Sequence, residues 1–277
     1  MNSYNARYKE QIAKFTKKDG LLAICYFGYL MALSFALSFF FQSQMAYELS
    51  IDTLLFIHRV VRPILGVAPA FVIALLRKQG LSSIGFHTKN LGKALLLGLV
   101  FSVIALMLYS GVLPGIVQGG QLQPFSVLTE ALMITLVYAA WEDIVFQGYI
   151  QPRLHGIVKS NIIAVLIGAL FFALVHVPVF VVVDGLSGLS ILASATMAAW
   201  IGGHVIYNLV FRKYFSIFPV IMLHTFINFS SQGDIWESGV TSVDEVAPFP
   251  ISFVIITVAV ILWAVYESRK SKRGEAR

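Results

Sequence analysis

Residues 161–183 read NIIAVLIGALFFALVHVPVFVVV, and this stretch contains no Asp, Glu, Lys or Arg. A helix needs about 20 mostly apolar residues to cross about 30 Å of membrane hydrocarbon, and this stretch meets that requirement. Comparable apolar stretches lie near residues 21–41, 54–76, 94–113, 125–150, 191–211, 215–231 and 249–266. The pattern predicts an all-α protein, a polytopic transmembrane helix bundle of about eight spans.

The composition agrees with a membrane protein. Of the 277 residues, 58% are hydrophobic and 12% are charged, whereas about a quarter of the residues in a soluble domain are charged. Cys25 is the single cysteine, so the chain has no disulfide framework and no cysteine-based metal site. The net charge of +6 is divided among the connections between apolar runs, so we expect a lipid bilayer and no nucleic acid as partner. We expect residues 1–277 to form a single integral membrane domain.

The charged residues of the connections predict an orientation in the membrane. Lys and Arg are found in the N-terminal tail, in the connections that contain Arg77, Arg153 and Arg212, and in the C-terminal tail. The intervening connections carry Asp and Glu instead, for example Asp184 and Asp234. Because short cytoplasmic loops are rich in Lys and Arg, this alternation predicts a multi-pass protein of the cell membrane with both termini in the cytoplasm.

Several ionisable side chains fall within the predicted spans, where they are costly and usually functional. Five of them stand out: Glu142 and Asp143 in span four, His176 in span five, His204 in span six and His224 in span seven. A lone buried histidine is more often a packing residue than a catalyst, and we interpret His204 in that way. The combination of Glu142, His176 and His224 on separate spans favours a functional site, since three polar insertions at lipid depth are hard to explain by packing.

The spacing of the polar residues predicts how their side chains pair. Asp143 and Gln147 are four residues apart, so a helix would place them on one face with the amide donating to the carboxylate. Glu142 would then point elsewhere, because consecutive helical residues are about 100° apart. His224 and Asn228 are also four apart, and an imidazole beside an amide suits the stabilisation of an oxyanion.

Two hydrolytic mechanisms are compatible with these residues. In one, Glu142 is the general base for a water molecule that the histidines and Asn228 position. In the other, Glu142, His176 and His224 bind Zn²⁺, which activates the water. The sequence has no H-E-x-x-H pair, so the spacing does not favour the metal, and we expect no cofactor. Pro178 follows His176 by two residues and predicts a bend in span five that could open a cavity.

Three motifs on spans four, five and seven resemble those of the CPBP family of intramembrane proteases, which includes the type II CAAX prenyl endopeptidases. Residues 142–154, EDIVFQGYIQPRL, resemble the first motif, E-E-x-x-x-R, and its usual continuation. Residues 172–176, FALVH, match F-x-x-x-H, and residues 224–228, HTFIN, match H-x-x-x-N. The resemblance covers roughly residues 77–231.

The resemblance implies a role for each matching residue. Glu142 corresponds to the base for water, His176 to its partner, and His224 with Asn228 to the ligands of the water and the oxyanion, without a metal ion. Phe172, Asp143 and Gln147 are implied as supporting residues.

The first motif departs from the family pattern, because Asp143 replaces the second glutamate and Gln147 replaces the arginine. Two functions therefore stay open. The first is an intramembrane endopeptidase that acts on a membrane-associated peptide or protein. The second is a catalytically silent membrane scaffold or bacteriocin self-immunity protein of the same fold.

Overall fold

The structure, a computed structural model, describes residues 3–87, 91–92, 95–96, 98–100, 103 and 121–231. The main helices are α1 (Ser3–Ala13), α2 (Lys17–Gln42), α3 (Ile51–Leu76), α4 (Phe125–Leu154), α5 (Asn161–Leu174), α6 (Val177–Asp184), α7 (Ala195–Tyr214) and α8 (Phe218–Ser231). Short helical turns lie at Gln44–Tyr47, Leu81–Ile84 and Gly185–Ala193. Within these residues the chain forms helices and no strand, as expected for an all-α membrane helix bundle.

Four helical stretches in the described part of the chain are long and apolar enough to cross a membrane. They are Lys17–Gln42, Ile51–Leu76, Phe125–Leu154 and Asn161–Ala193, which agree with predicted spans one, two, four and five. Predicted span six corresponds to α7, and predicted span seven to α8, whose apolar part is shorter. The spans predicted at 94–113 and 249–266 lie outside the described residues, apart from a few positions of the former.

The described residues divide into two compact units. One consists of the described residues within Arg7–Phe86 and Trp141–Asn208, and the other of the described residues within Met1–Ala6, His87–Ala140 and Leu209–Arg277. We call them the first and the second unit. Helices α1, α4 and α7 contribute residues to both units, because their sequences cross the boundaries between them.

Aromatic and hydrogen-bonding contacts hold the first unit together. The ring of Phe27 on α2 stacks on that of Phe171 on α5 with centroids 3.9 Å apart. The hydroxyl of Ser34 on α2 donates to the carbonyl of Val175, 3.0 Å away. In the second unit, the ring of His87 lies 4.8 Å from that of Phe215.

Two helices contain π-helical turns, in which the backbone hydrogen bond spans five residues instead of four. In α3 the turn covers Ile57–Val61, and in α4 it covers Ile144–Ile150, directly after Glu142 and Asp143. The N–H of Gln151, for example, donates to the carbonyl of Phe146. Such turns are rare in helices and are often found at functional sites.

The predicted bend at His176 and Pro178 falls at an interruption of the helix. Helix α5 ends at Leu174 and α6 begins at Val177, so His176 lies at the break between them. Pro178 is in the first turn of α6, where a missing backbone N–H costs nothing because it would have no helical acceptor.

Candidate active site

Glu142 and Asp143 are the last α-helical residues of α4 before its π-helical turn. Both are buried, with 9% of Glu142 and 1% of Asp143 exposed. The neighbouring side chain, Trp141, packs against α3 at Gly66, where a methyl group would come within 2.8 Å of the indole ring. The guanidinium of Arg62 lies over the same ring, 5.7 Å from its centre. These contacts hold α4 against α3 one residue before Glu142.

His176 is held in a fixed orientation at the helix break. Its Nδ1 lies 2.8 Å from the carbonyl oxygen of Phe172, and its ring stacks on Trp200 with centroids 4.4 Å apart. A carbonyl oxygen can only accept a hydrogen bond, so Nδ1 must carry the proton. In the neutral imidazole the lone pair is then on Nε2. This leaves Nε2 as the atom that can accept a proton or a hydrogen bond.

Gln147 does not pair with Asp143, so the predicted hydrogen bond between them is wrong. The Nε2 of Gln147 lies 3.0 Å from Nδ1 of His204 and donates to the His204 carbonyl at 3.1 Å. Its Oε1 accepts from the side chain of Asn208 at 3.2 Å. The four-residue rule assumes an α-helix, whereas the wider π-helical turn that begins at Ile144 rotates Gln147 away from the expected position.

His204 occupies the centre of a fully buried polar group. Its Nδ1 faces an amide nitrogen of Gln147, which can only donate, so Nδ1 accepts. Its Nε2 lies 3.4 Å from Oε1 of Gln151, which can only accept, so Nε2 carries the proton. The tautomer is therefore the opposite of that of His176, and both ring nitrogens have partners.

This polar group was not predicted, because the sequence analysis interpreted His204 as a single packing residue. A signal was present in the spacing, since Gln147 and Gln151 are four apart on span four and His204 and Asn208 are four apart on span six. Two such polar pairs on apolar spans indicate polar faces that require partners within the protein.

His224 and Asn228 lie on α8, the first buried and the second half-buried. They belong to the second unit, whereas Glu142 and His176 belong to the first. The convergence of the four residues on one cavity therefore stays a prediction. Among the residues that the structure describes, no group of three or more His, Cys, Asp or Glu could hold a metal ion. Binding of Zn²⁺ by Glu142, His176 and His224 stays an open alternative.

A second polar network lies at the end of α4 and involves Arg153, which is fully buried. Its guanidinium donates to Oε1 of Gln79 at 2.6 Å, to the hydroxyl of Ser83 at 3.0 Å and to the carbonyl of Tyr149 at 3.1 Å. Gln79 in turn donates to Asp19 at 2.7 Å. This network connects the segment after α3 directly to the end of the first motif.

Asp19 also forms an ion pair with Arg77, with 3.0 Å between its Oδ1 and the Nε of Arg77. The hydrogen bond and the negative charge of Asp19 raise the pKa of Arg77. The other carboxylate oxygen of Asp19 accepts from the backbone N–H of Thr16 at 2.8 Å, as part of a capping box that begins α2.

Comparison with known proteins supports the resemblance that the motifs suggested. Residues 124–230 match the family model described as type II CAAX prenyl endopeptidase Rce1-like. This region contains all three motifs and the polar group around His204. No curated protein matches the chain significantly.

Proposed function

Because residues 124–230 match the family model of type II CAAX prenyl endopeptidases, we propose that this membrane protein is an intramembrane endopeptidase. It hydrolyses a peptide bond in a membrane-associated peptide or protein. The main support is the fixed imidazole of His176, whose Nδ1 is bound to the Phe172 carbonyl and whose Nε2 is left with the lone pair. An orientation of this kind is what a histidine that assists a general base requires.

In the proposed reaction Glu142 removes a proton from a water molecule, which attacks the carbonyl carbon of the peptide bond. Nε2 of His176 accepts a hydrogen bond from that water and orients it. The carbonyl oxygen becomes an oxyanion, to which His224 and Asn228 donate hydrogen bonds. The C–N bond then breaks, and the proton held by Glu142 passes to the leaving amine.

The proposal includes an orientation in the membrane. Both termini are cytoplasmic, and the substrate enters from the cytoplasmic half of the bilayer. The support is the alternation of basic and acidic connections along the chain.

The experiment compares cleavage products in membranes that contain the wild-type protein, Glu142→Gln or Glu130→Gln. Glu130 is a matched control, because it is an exposed carboxylate on the same helix and loses the same charge. We expect mass spectrometry of new N-termini to show products with the wild type and the control that are lost with Glu142→Gln. Addition of a zinc chelator should leave these products unchanged.

Two other outcomes would contradict the proposal in different ways. Identical peptide patterns for the wild type and Glu142→Gln would favour the silent scaffold or self-immunity protein. Products that disappear on chelation and return on addition of Zn²⁺ would favour the metal mechanism at Glu142, His176 and His224.

A further inference from the structure

We infer that four buried side chains, Gln147, Gln151, His204 and Asn208, act together as positioning residues for Glu142. We call them the amide–histidine cluster. The inference rests on the proposed function, because it concerns the aim of the proposed base. It assigns a role to residues that the proposed reaction does not itself use.

The cluster connects α4 to α7 through a continuous set of hydrogen bonds. Gln147 donates to the ring and the carbonyl of His204, and it accepts from Asn208. His204 donates from Nε2 to Gln151 at 3.4 Å. The backbone carbonyl of His204 fixes which end of the Gln147 amide faces α7, because a carbonyl can only accept. The orientation of every member follows from its neighbours.

Helix α5 leaves space for the cluster at a glycine. Gly168 lies on α5, where a Cβ atom would come within 3.2 Å of Nε2 of His204 and would collide with Oε1 of Gln151. The ring of Phe172, also on α5, lies 5.3 Å from that of His204. Since Phe172 provides the carbonyl that holds His176, the cluster and the proposed partner of the base are attached to the same helix.

The cost of the cluster argues for a role beyond packing. All four side chains are fully buried, and burial of such polar groups in an apolar environment is unfavourable unless they form hydrogen bonds. Apolar side chains of similar volume could fill the same space at no such cost. What they could not supply is a fixed rotation, because apolar contacts tolerate sliding and hydrogen bonds require a narrow range of angles.

The part of α4 that the cluster holds is the π-helical turn directly after Glu142 and Asp143. Gln147 lies in the middle of this turn, and Gln151 follows its end. A change from five-residue to four-residue hydrogen bonding would rotate the two ends of α4 relative to each other. By fixing Gln147 and Gln151 to α7, the cluster sets the direction in which Glu142 points.

The first test measures the kinetics of Asn208→Leu, Gln147→Leu and the double variant. The probe is a fluorogenic peptide that copies the product most strongly lost with Glu142→Gln. We expect each single variant to lower kcat on the order of 100-fold, as for a misplacement of about 1 Å, and to leave KM unchanged. In the Gln147→Leu background, Asn208→Leu should cause no further loss, because Asn208 acts through Gln147. Additive losses in the double variant would overturn the inference.

The matched control is Thr135→Val, which removes a buried hydroxyl from the same helix. That hydroxyl donates to the carbonyls of Ala131 and Leu132 in its own helix, so it does not connect α4 to a neighbour. We expect the control to keep the wild-type kcat. If Asn208→Leu does not fold, Gln151→Met serves as a milder variant. We expect it to lower kcat as well, but by a smaller factor.

The second test needs no substrate and therefore separates this inference from the proposed function. Glu142→Cys is made in a Cys25→Ser background, and the rate at which methyl methanethiosulfonate modifies the new thiol is measured in detergent. We expect Asn208→Leu to change the rate constant several-fold, while Thr135→Val leaves it unchanged. Equal rate constants in all three backgrounds would overturn the positioning role. If Glu142→Gln retained full cleavage, the proposed function would fail instead, and the thiol rates would still decide the positioning role.

Discussion

Tyr29 supplies a hydrogen bond that α3 lacks because of Pro69. Proline has no backbone N–H, so within a helix it leaves the carbonyl four residues earlier without its usual donor. For Pro69 that carbonyl belongs to Leu65, and the hydroxyl of Tyr29 donates to it across a distance of 3.0 Å. In a membrane, water is not present to replace this donor.

The change in the free energy of unfolding on loss of the Tyr29 hydroxyl follows from this geometry. Replacing Tyr29 by Phe leaves the Leu65 carbonyl unsatisfied, which costs about 1–2 kcal/mol in membrane helices. Replacing Pro69 by Ala restores a backbone N–H at position 69, so the same Tyr29→Phe change should then cost less than about 0.5 kcal/mol. The double-mutant cycle should give a coupling free energy of about 1 kcal/mol between two side chains on different helices.

The assay is unfolding of the purified protein in mixed micelles with an increasing fraction of dodecyl sulfate, followed by tryptophan fluorescence. Tyr26→Phe is the control, because Tyr26 donates to the carbonyl of Gly66 and residue 70 retains its backbone N–H. The cost of Tyr26→Phe should therefore be the same with and without the Pro69→Ala substitution. If Tyr29→Phe also had equal costs in both backgrounds, the Tyr29 hydroxyl would not be the replacement donor.

Three further predictions follow from the first unit and from the charge pattern. Arg153→Met should lower the free energy of unfolding by about 2–6 kcal/mol, since two side-chain acceptors lose their donor at a cost of about 1–3 kcal/mol each. Lys159→Met, at an exposed position, should change the free energy of unfolding little. Equal unfolding midpoints of the two variants in the micelle assay would contradict this prediction. Gly148→Ala should lower the free energy of unfolding by about 1–3 kcal/mol through overpacking, because the new Cβ would lie 2.5 Å from a side-chain carbon of Ile84. Gly28→Ala is the control and should leave the free energy of unfolding unchanged, because there is open space around Gly28. Cysteines introduced at residues 232–248 should react with a membrane-impermeant maleimide from outside the cell, and labelling from the cytoplasmic side alone would mean that the spans are miscounted.

The features that sequence predicted correctly depend on short-range properties of the chain. The helices of spans one, two, four and five follow from runs of apolar residues, which have a low free energy in hydrocarbon whatever their neighbours are. The break at His176 follows from Pro178, whose effect on the backbone reaches one turn. The family resemblance likewise depends on the order and spacing of residues along the chain.

The pairing of polar side chains was not predictable in the same way. Gln147 was expected to bind Asp143, four residues earlier, and instead binds His204 and Asn208, which are 57 and 61 residues away. The residues of α4 showed no recognised pattern that predicted its π-helical turn. The turn packs against a segment distant in the sequence, since Ile84 lies close to Gly148.

The sequence by itself determined that the chain is a helical membrane protein, where its long apolar helices lie and which residues resemble the CAAX-protease motifs. Tertiary structure decided which tautomers His176 and His204 adopt, which partners Gln147 binds and which groups accept hydrogen bonds from Arg153. The physical reason is the difference in range between the two kinds of interaction. Burial of apolar residues depends on local composition, whereas a hydrogen bond requires two groups within about 3 Å, and only the packing of distant helices brings those groups together.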